Sequence, residues 1–508
     1  MLRRNLVANY LGQGWTALMG LAFIPLYIKY LGIESYGLIG IFALLQSWLQ
    51  LLDMGMTPTL SREMARTSAG THSAQSIRDL LRSIEIITLA MACIIAIGIW
   101  AASVWLASDW LRAEKIPVAT VAQAFTLMGI VTGLRFIEGI YRSSIIGLQR
   151  QVLLNGLASA MATLRGLGAV GILIWFSPTL EAFFIWQGLI SILTVGILAT
   201  TTYLSLPKAT AGGNFSLTAL IGVWRFAGGM LGITLLSLLL MQVDKIVLSK
   251  LLNLSDYGYY TLAVVVAGGI NIIGAPINQA WYPRLSELVA RADQTNLIKV
   301  YHQGAQLVSV VMGSAAFVLI VFTVTILQLW TQDLELAHRA APIVRVLVLG
   351  NLLNGLMWIP YQTQLAHGWT GLAIRINIIS ILFVVPAILW ATPYYGALGA
   401  AWIWAGLNAS YVLIGIHFMY CRIMKGEKWG WYTNDILSPL LGAAFATLLV
   451  HWIAPTNLQP IGQLIVLILA IIFSLITSTL VATLLRHQLY LFIRHVGQLF
   501  MKSKIKYK

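Results

Sequence analysis

Apolar residues along the chain run in blocks of about twenty, broken by charged residues or by Gly and Pro, without the period-two alternation of strands. A bilayer core of roughly 30 Å takes about 20 apolar residues per helix. Backbone groups inside it must be satisfied within the segment, so unalternated blocks of this length point to helices and not to a barrel. The punctuation predicts fourteen membrane helices, near residues 7–28, 36–57, 83–107, 118–139, 153–176, 182–204, 222–248, 257–281, 300–330, 341–365, 370–391, 396–419, 436–454 and 461–485.

The polar positions inside these blocks carry a second pattern. Asn9, Gln13, Thr16 and Gly20 share one face of the first helix, and Gln46, Gln50, Asp53 and Thr57 share one face of the second. Between those helices lies the connector KYLGIESYG (29–37), and KLLNLSDYG recurs at 250–258, an offset of 221 residues. The same offset carries Gln13 and Thr16 onto Thr234 and Ser237, and Gln50 and Thr57 onto Asn271 and Asn278. For any one residue, a side chain that joins helices explains the polarity. The matched set predicts instead a cavity between two like-oriented halves, related by an axis along the membrane normal. The expected organisation is a six-helix bundle over 1–210, a second over 211–425, and two further helices with a basic tail over 426–508.

Composition agrees with the pattern: of 508 residues, 59% are hydrophobic and 10% charged. The formal net charge of +15 is mostly topological. On this layout twenty of the 32 Lys and Arg fall on the side of the termini and six on the other, which predicts cytoplasmic termini and attraction to anionic lipid headgroups, not nucleic-acid binding. MLRRN leads straight into the first block without a cleavage site, so an uncleaved first helix is expected. Cys93 and Cys421 sit in unlike surroundings and predict no disulfide. Loops are too short for a catalytic domain, G-x-x-x-x-G-K-[ST] does not occur, and His367, His417 and His451 lack ligand-like spacing. Neither a catalytic centre nor a metal or bound cofactor is expected.

The segments IPLYIKYLG, IESYGLIGIFAL, LLDMGMTPTLSREMAR, YRSSIIGLQRQ and MQVDKIVLSKLLNLSDYGYYTLA resemble the Wzx-type oligosaccharide flippases of the multidrug/oligosaccharidyl-lipid/polysaccharide exporter superfamily, over roughly residues 1 to 420. The resemblance implies an all-α integral membrane protein of about 14 helices. Two pseudo-symmetric, MATE-like six-helix bundles would enclose a central cavity, with two C-terminal helices appended. It implies a bacterial inner-membrane transporter that moves a polyprenyl-pyrophosphate-linked oligosaccharide to the periplasmic leaflet by alternating access, for O-antigen or other surface polysaccharide. Other polysaccharide assembly proteins are then candidate partners. The alternatives are a drug exporter or lipid II flippase of the same superfamily, or a membrane-embedded polymerase or glycosyltransferase. Against the last, the outer face offers only short loops.

A phosphate-bearing cargo needs cations in the passage, and charge at membrane depth is costly enough to suggest a role. Arg165 lies at the middle of its helix among Ala158, Ala162 and Ala169, and is expected to face the cavity. Arg225 and Arg375 sit nearer the cytoplasmic edge, where a cavity mouth and snorkelling to headgroups explain them equally well. Arg345 is read as structural, and Arg135, Glu138 and Arg142 as a charge cluster within one helix. The candidate cavity residues are thus Arg165, Arg225, Arg375, Gln13, Thr16, Gln46, Gln50, Thr234, Ser237, Asn271 and Asn278. Asp244 has two readings, as the acid that couples transport to a proton or sodium gradient and as a partner for Lys245 or Lys29. Pro25, Pro276, Pro360 and Pro386 are expected to interrupt four helices.

Overall fold

The structure, a computed structural model, describes residues 2–53, 56–68, 73–207, 212–217, 238–239, 241–369, 371–455 and 458–487. Among them every long element is helical. In the first part of the chain these are α1 (Leu2–Ala22), α2 (Ile24–Leu31), α3 (Ile33–Leu52), α4 (Met56–Ser68), α5 (Ala74–Trp105), α6 (Val118–Gly147), α7 (Gln151–Trp175) and α8 (Leu180–Ser205). In the second they are α9 (Leu254–Ala290), α10 (Gln294–Val321), α11 (Thr323–Thr331), α12 (Leu334–Leu356), α13 (Trp358–Ala366), α14 (Gly371–Ser410), α15 (Ile416–Arg422), α16 (Ser438–Ile453) and α17 (Pro460–Val481).

Eleven stretches among the described residues are long and apolar enough to cross a membrane. They correspond to the predicted fourteen as follows. The second predicted helix is the twenty-residue α3, the seventh falls largely outside the described residues, and the eleventh and twelfth run together as one stretch, Gly371–Arg422. Within that stretch Gly396 has φ 57 and ψ −145, a conformation that bends α14 between the two predicted spans. The large apolar side chains Leu382, Phe383, Leu389 and Trp390 of α14 are exposed, as a lipid-facing surface requires.

Proline acts unevenly. Pro25 and Pro360 stand in the first turn after breaks at Phe23 and Met357, where a helix accepts proline because the missing donor is already free. Pro276 and Pro386 lie inside α9 and α14, which continue through them, so these two do not interrupt their helices. Elsewhere polar side chains cap the starts: Ser73 accepts from Ser76 N at 3.1 Å, Asp293 from Asn296 N at 3.1 Å and Asp333 from Leu336 N at 3.0 Å. Asp293 lies in the turn before α10, and the hydrogen bonds from Asn296 hold its carboxyl below the usual range.

The chain divides into two compact units, Met1–Tyr259 and Tyr260–Lys508. In the first, α6 packs against α4, α5 and α8, and α1 lies along α7. A core of Leu60, Met64, Ile77, Leu81, Ile84 and Ile145 fills one end. In the second, α10 is the hub, packing against α12, α16 and α17, while α16 and α17 pair with each other.

The two copies of the connector both lie in the first unit, and they pack on each other. A Cβ placed on Gly37 would strike Leu254 O, and one placed on Gly258 would strike Ile33 O. Adding 221 to Ile33 and Gly37 gives Leu254 and Gly258, so the contact is reciprocal: the repeat is a local two-fold, and its glycines are there because backbone meets backbone. The intervening loop is tied to both copies. Buried Glu34 accepts from Glu114 N at 2.7 Å and Lys115 N at 3.1 Å, and Leu254 N donates to Arg112 O at 2.9 Å.

Candidate functional site

Four helices of the first unit surround a small opening of about 60 Å³, lined by Thr16 of α1, Glu138 and Arg142 of α6, Ala158, Ala162 and Arg165 of α7, and Thr194 of α8, with Leu154, Leu157 and Leu198 among its apolar wall. Small residues at Ala158 and Ala162, one turn apart before Arg165, leave space that larger side chains would fill. That volume has room for a few waters and not for a sugar chain.

The charges there are arranged across helices. Arg165 Nη2 meets Glu138 Oε1 at 3.4 Å, with side-chain exposures of 23% and 9%, so the guanidinium is paired yet still reaches the opening. Glu138 therefore also belongs to an interhelical pair, which adds to the sequence reading of Arg135, Glu138 and Arg142 as a cluster within one helix: a carboxylate this buried needs a cation, and α7 supplies a further one. Arg135 turns the other way. It donates through Nη1 to Gln46 Oε1 and through Nη2 to Gln187 Oε1 at 3.1 Å, over the ring of Phe42 at 5.0 Å. Arg142 is exposed on the rim. Three arginines thus stand about one glutamate, and the site is net cationic.

The predicted cavity residues sort unequally. Arg165 and Thr16 come together at this opening; Thr16 donates to Gly12 O at 2.8 Å. Gln13, on the same helix, is exposed. Gln46 serves Arg135 and not the opening. Asn278 accepts from Gln362 Nε2 at 2.9 Å, and Asn271 Oδ1 is buried without a partner. Arg375 is exposed. Arg225, Thr234 and Ser237 lie outside the described residues, as does the side chain of Gln50. Asp244 Oδ1 lies 3.5 Å from Lys245 Nζ, the lysine partnership offered as one of its two readings. Arg345 donates through Nε to Ile320 O at 3.2 Å, in keeping with a structural role.

Sequence reasoning missed the part played by Glu138, Arg135 and Gln187. Helical spacing groups neighbours along one helix, whereas these groups are matched between helices, and no spacing within α6 shows which faces meet α3, α7 or α8.

Residues 2–289 match the family described as polysaccharide biosynthesis protein. A Shigella flexneri protein named "Putative O-antigen transporter" is 21% identical over 402 residues, covering 79% of this chain and 94% of that protein. Among solved structures, the lipid II flippase MurJ in an inward closed conformation superposes with a TM-score of 0.68 at 13% identity, covering 94% of this chain and 98% of that one. An inward-facing multidrug resistance MATE family transporter superposes with a TM-score of 0.63 at 14% identity, covering 80% and 94%. At these identities the two structures establish the shared fold.

Proposed function

Because the chain belongs to the polysaccharide biosynthesis protein family, we propose that it is a flippase that carries a polyprenyl-pyrophosphate-linked oligosaccharide from the cytoplasmic to the periplasmic leaflet of the bacterial inner membrane by alternating access. The observation that carries this reading is Arg165: a guanidinium at mid-helix, matched to Glu138 and still open to a polar pocket beside Arg142. Arginine's planar fork pairs with phosphate oxygens in two-point fashion. A net cationic site of this kind attracts a pyrophosphate, while the glycan needs more room than the opening offers here.

The work is transport and not bond-making. Phosphate oxygens compete with Glu138 for Arg165, so the pair opens when cargo arrives and closes when it leaves. Thr16 adds a hydroxyl to the lining from α1. In this reading both termini lie in the cytoplasm, which the distribution of Lys and Arg supports. A proton or sodium gradient is the candidate energy source. O-antigen assembly is supported by the Shigella relative's name.

The test is complementation. In cells deleted for this gene, lipid-linked repeat units should accumulate on the cytoplasmic leaflet and surface polysaccharide should disappear, and the wild-type chain should reverse both. Accumulation on the periplasmic leaflet would place the defect after flipping and overturn the reading.

A further inference from the structure

A second buried ionisable cluster lies in the second unit, away from Arg165, where α10 meets the segment leading into α16. His302 of α10 has a carboxylate at each ring nitrogen: Asp435 Oδ2 at Nδ1, and Glu427 Oε2 at Nε2, 3.1 Å away. Asp435 is 1% exposed, His302 11% and Glu427 34%. The orientation of the Gln306 amide follows from the outside in. Leu484 N can only donate, and it does so to Gln306 Oε1 at 3.0 Å. That turns Gln306 Nε2 toward Asp435 Oδ1 at 3.0 Å, as a donor to an acceptor. One Asp435 oxygen thus accepts from Gln306, as a carboxylate would, and its other oxygen meets His302 Nδ1. Carboxylate oxygens at both nitrogens favour a ring that carries both protons.

The backbone is built around this contact. Asp435 sits in a π-helical turn, Trp431–Leu437, and such turns are costly and concentrate at functional positions. The other ionisable groups nearby bond elsewhere, although the ring of Tyr301 packs edge-on against the imidazole at 5.3 Å. Tyr301 O–H and Tyr420 O–H pair with each other at 2.6 Å. Lys428 Nζ lies 3.1 Å from His417 Nδ1 and 5.9 Å from the ring centre of Tyr432, whose own hydroxyl donates to Val412 O at 2.6 Å. Arg486, two residues past Leu484, reaches Leu480 O at 3.5 Å. Among the described residues, Asp435 and Glu427 are thus the charged groups that face the imidazole.

We propose that His302, Asp435 and Glu427 form a proton-binding site that clasps the two C-terminal helices to α10, closed when the ring is doubly protonated and loosened when it gives up a proton. Glu427, the exposed member, connects the ring to water, and Asp435 is the fixed anion. The stabilisation is present at low pH and is lost as pH rises through the ring's titration.

The experiment uses the full chain in lipid nanodiscs, which expose both faces to one pH. The unfolding midpoint is followed from about pH 5 to about pH 9, the range over which histidine charge changes, alongside hydrogen exchange of residues 428–437. In the wild type the midpoint should fall with rising pH. His302→Gln should remove that dependence and speed exchange of 428–437 at the acidic end. Glu427→Gln deletes one of the two anions at the more exposed position, and should keep the transition but move it about one unit lower. The same pH dependence in His302→Gln as in wild type would overturn the proposal. Should that variant fail to fold, an unmoved transition in Glu427→Gln would overturn it alone. None of these readouts requires cargo, so they stand or fall separately from the flippase reading.

Discussion

One polar region in each unit handles polarity in the opposite way to the other. In the first, the groups are charged and incompletely matched: Arg165 with Glu138, Arg142 on the rim, Arg135 divided between two glutamines. In the second, a stripe on α12 and α13 is neutral and matched. Asn351 donates to Ala267 O at 3.0 Å and accepts from Trp404 Nε1 at 2.9 Å. Asn354 donates to Asn408 Oδ1 at 2.8 Å and accepts from Trp358 Nε1 at 3.2 Å, and Gln362 donates to Asn278. A matched amide ladder holds helices in place. An open cation keeps capacity for a ligand.

That contrast is sharpest at Arg165. Arg165→Ala should reduce surface polysaccharide by roughly ten- to a hundredfold, the equivalent of a charge-assisted contact of about 1.5–3 kcal/mol, with Arg165→Lys retaining part; immunoblots of the surface glycan and of membrane-inserted protein separate transport from yield. Normal glycan from Arg165→Ala would make the first unit's charges as structural as the second unit's amides. Next in size is the partner. Glu138→Ala leaves Arg165 buried against no anion and should lower the yield of folded protein several-fold, whereas Arg165→Ala/Glu138→Ala should recover yield and not transport. Recovery of both in the double variant would reduce the pair to a structural bond.

In the second unit the order reverses. Asn354→Ala removes two bonds and should cost about 0.6–2 kcal/mol of stability, read as a lower unfolding midpoint, with polysaccharide near normal. A transport loss as deep as that of Arg165→Ala, at normal protein level, would erase the distinction between the units. The smallest effect is expected at Arg345, whose exposed guanidinium bonds a carbonyl. Arg345→Ala should shift stability by no more than about 0.5 kcal/mol and leave surface glycan unaltered.

Legibility in the sequence followed the same division. Arg165 could be singled out because a cation at mid-helix among alanines has no inexpensive alternative to facing a polar space. His302 could not. It lies one turn before Gln306; Asp435 is 133 residues beyond His302 and Leu484 178 beyond Gln306, and nothing near His302 in sequence marks it. The one available signal was Asp435 itself, an acid at the mouth of an apolar run. The prolines show the limit of local rules from another side. Pro25 and Pro360 sit at breaks, Pro276 and Pro386 do not, and the bend in α14 falls on Gly396.

What the sequence determined by itself was whatever depends on free energies of single segments: blocks of apolar residues become membrane helices, because transfer of such a run from water to lipid needs no knowledge of neighbours. That two connectors 221 residues apart are copies was legible from their residues alone. Only the tertiary structure decided which polar groups meet, from the reciprocal seating of Gly37 and Gly258 to the pairing of Glu138 with Arg165 and of Asp435 with His302. Those choices are set by how helix faces turn toward one another, and that rotation is a property of the packed assembly and not of any helix within it.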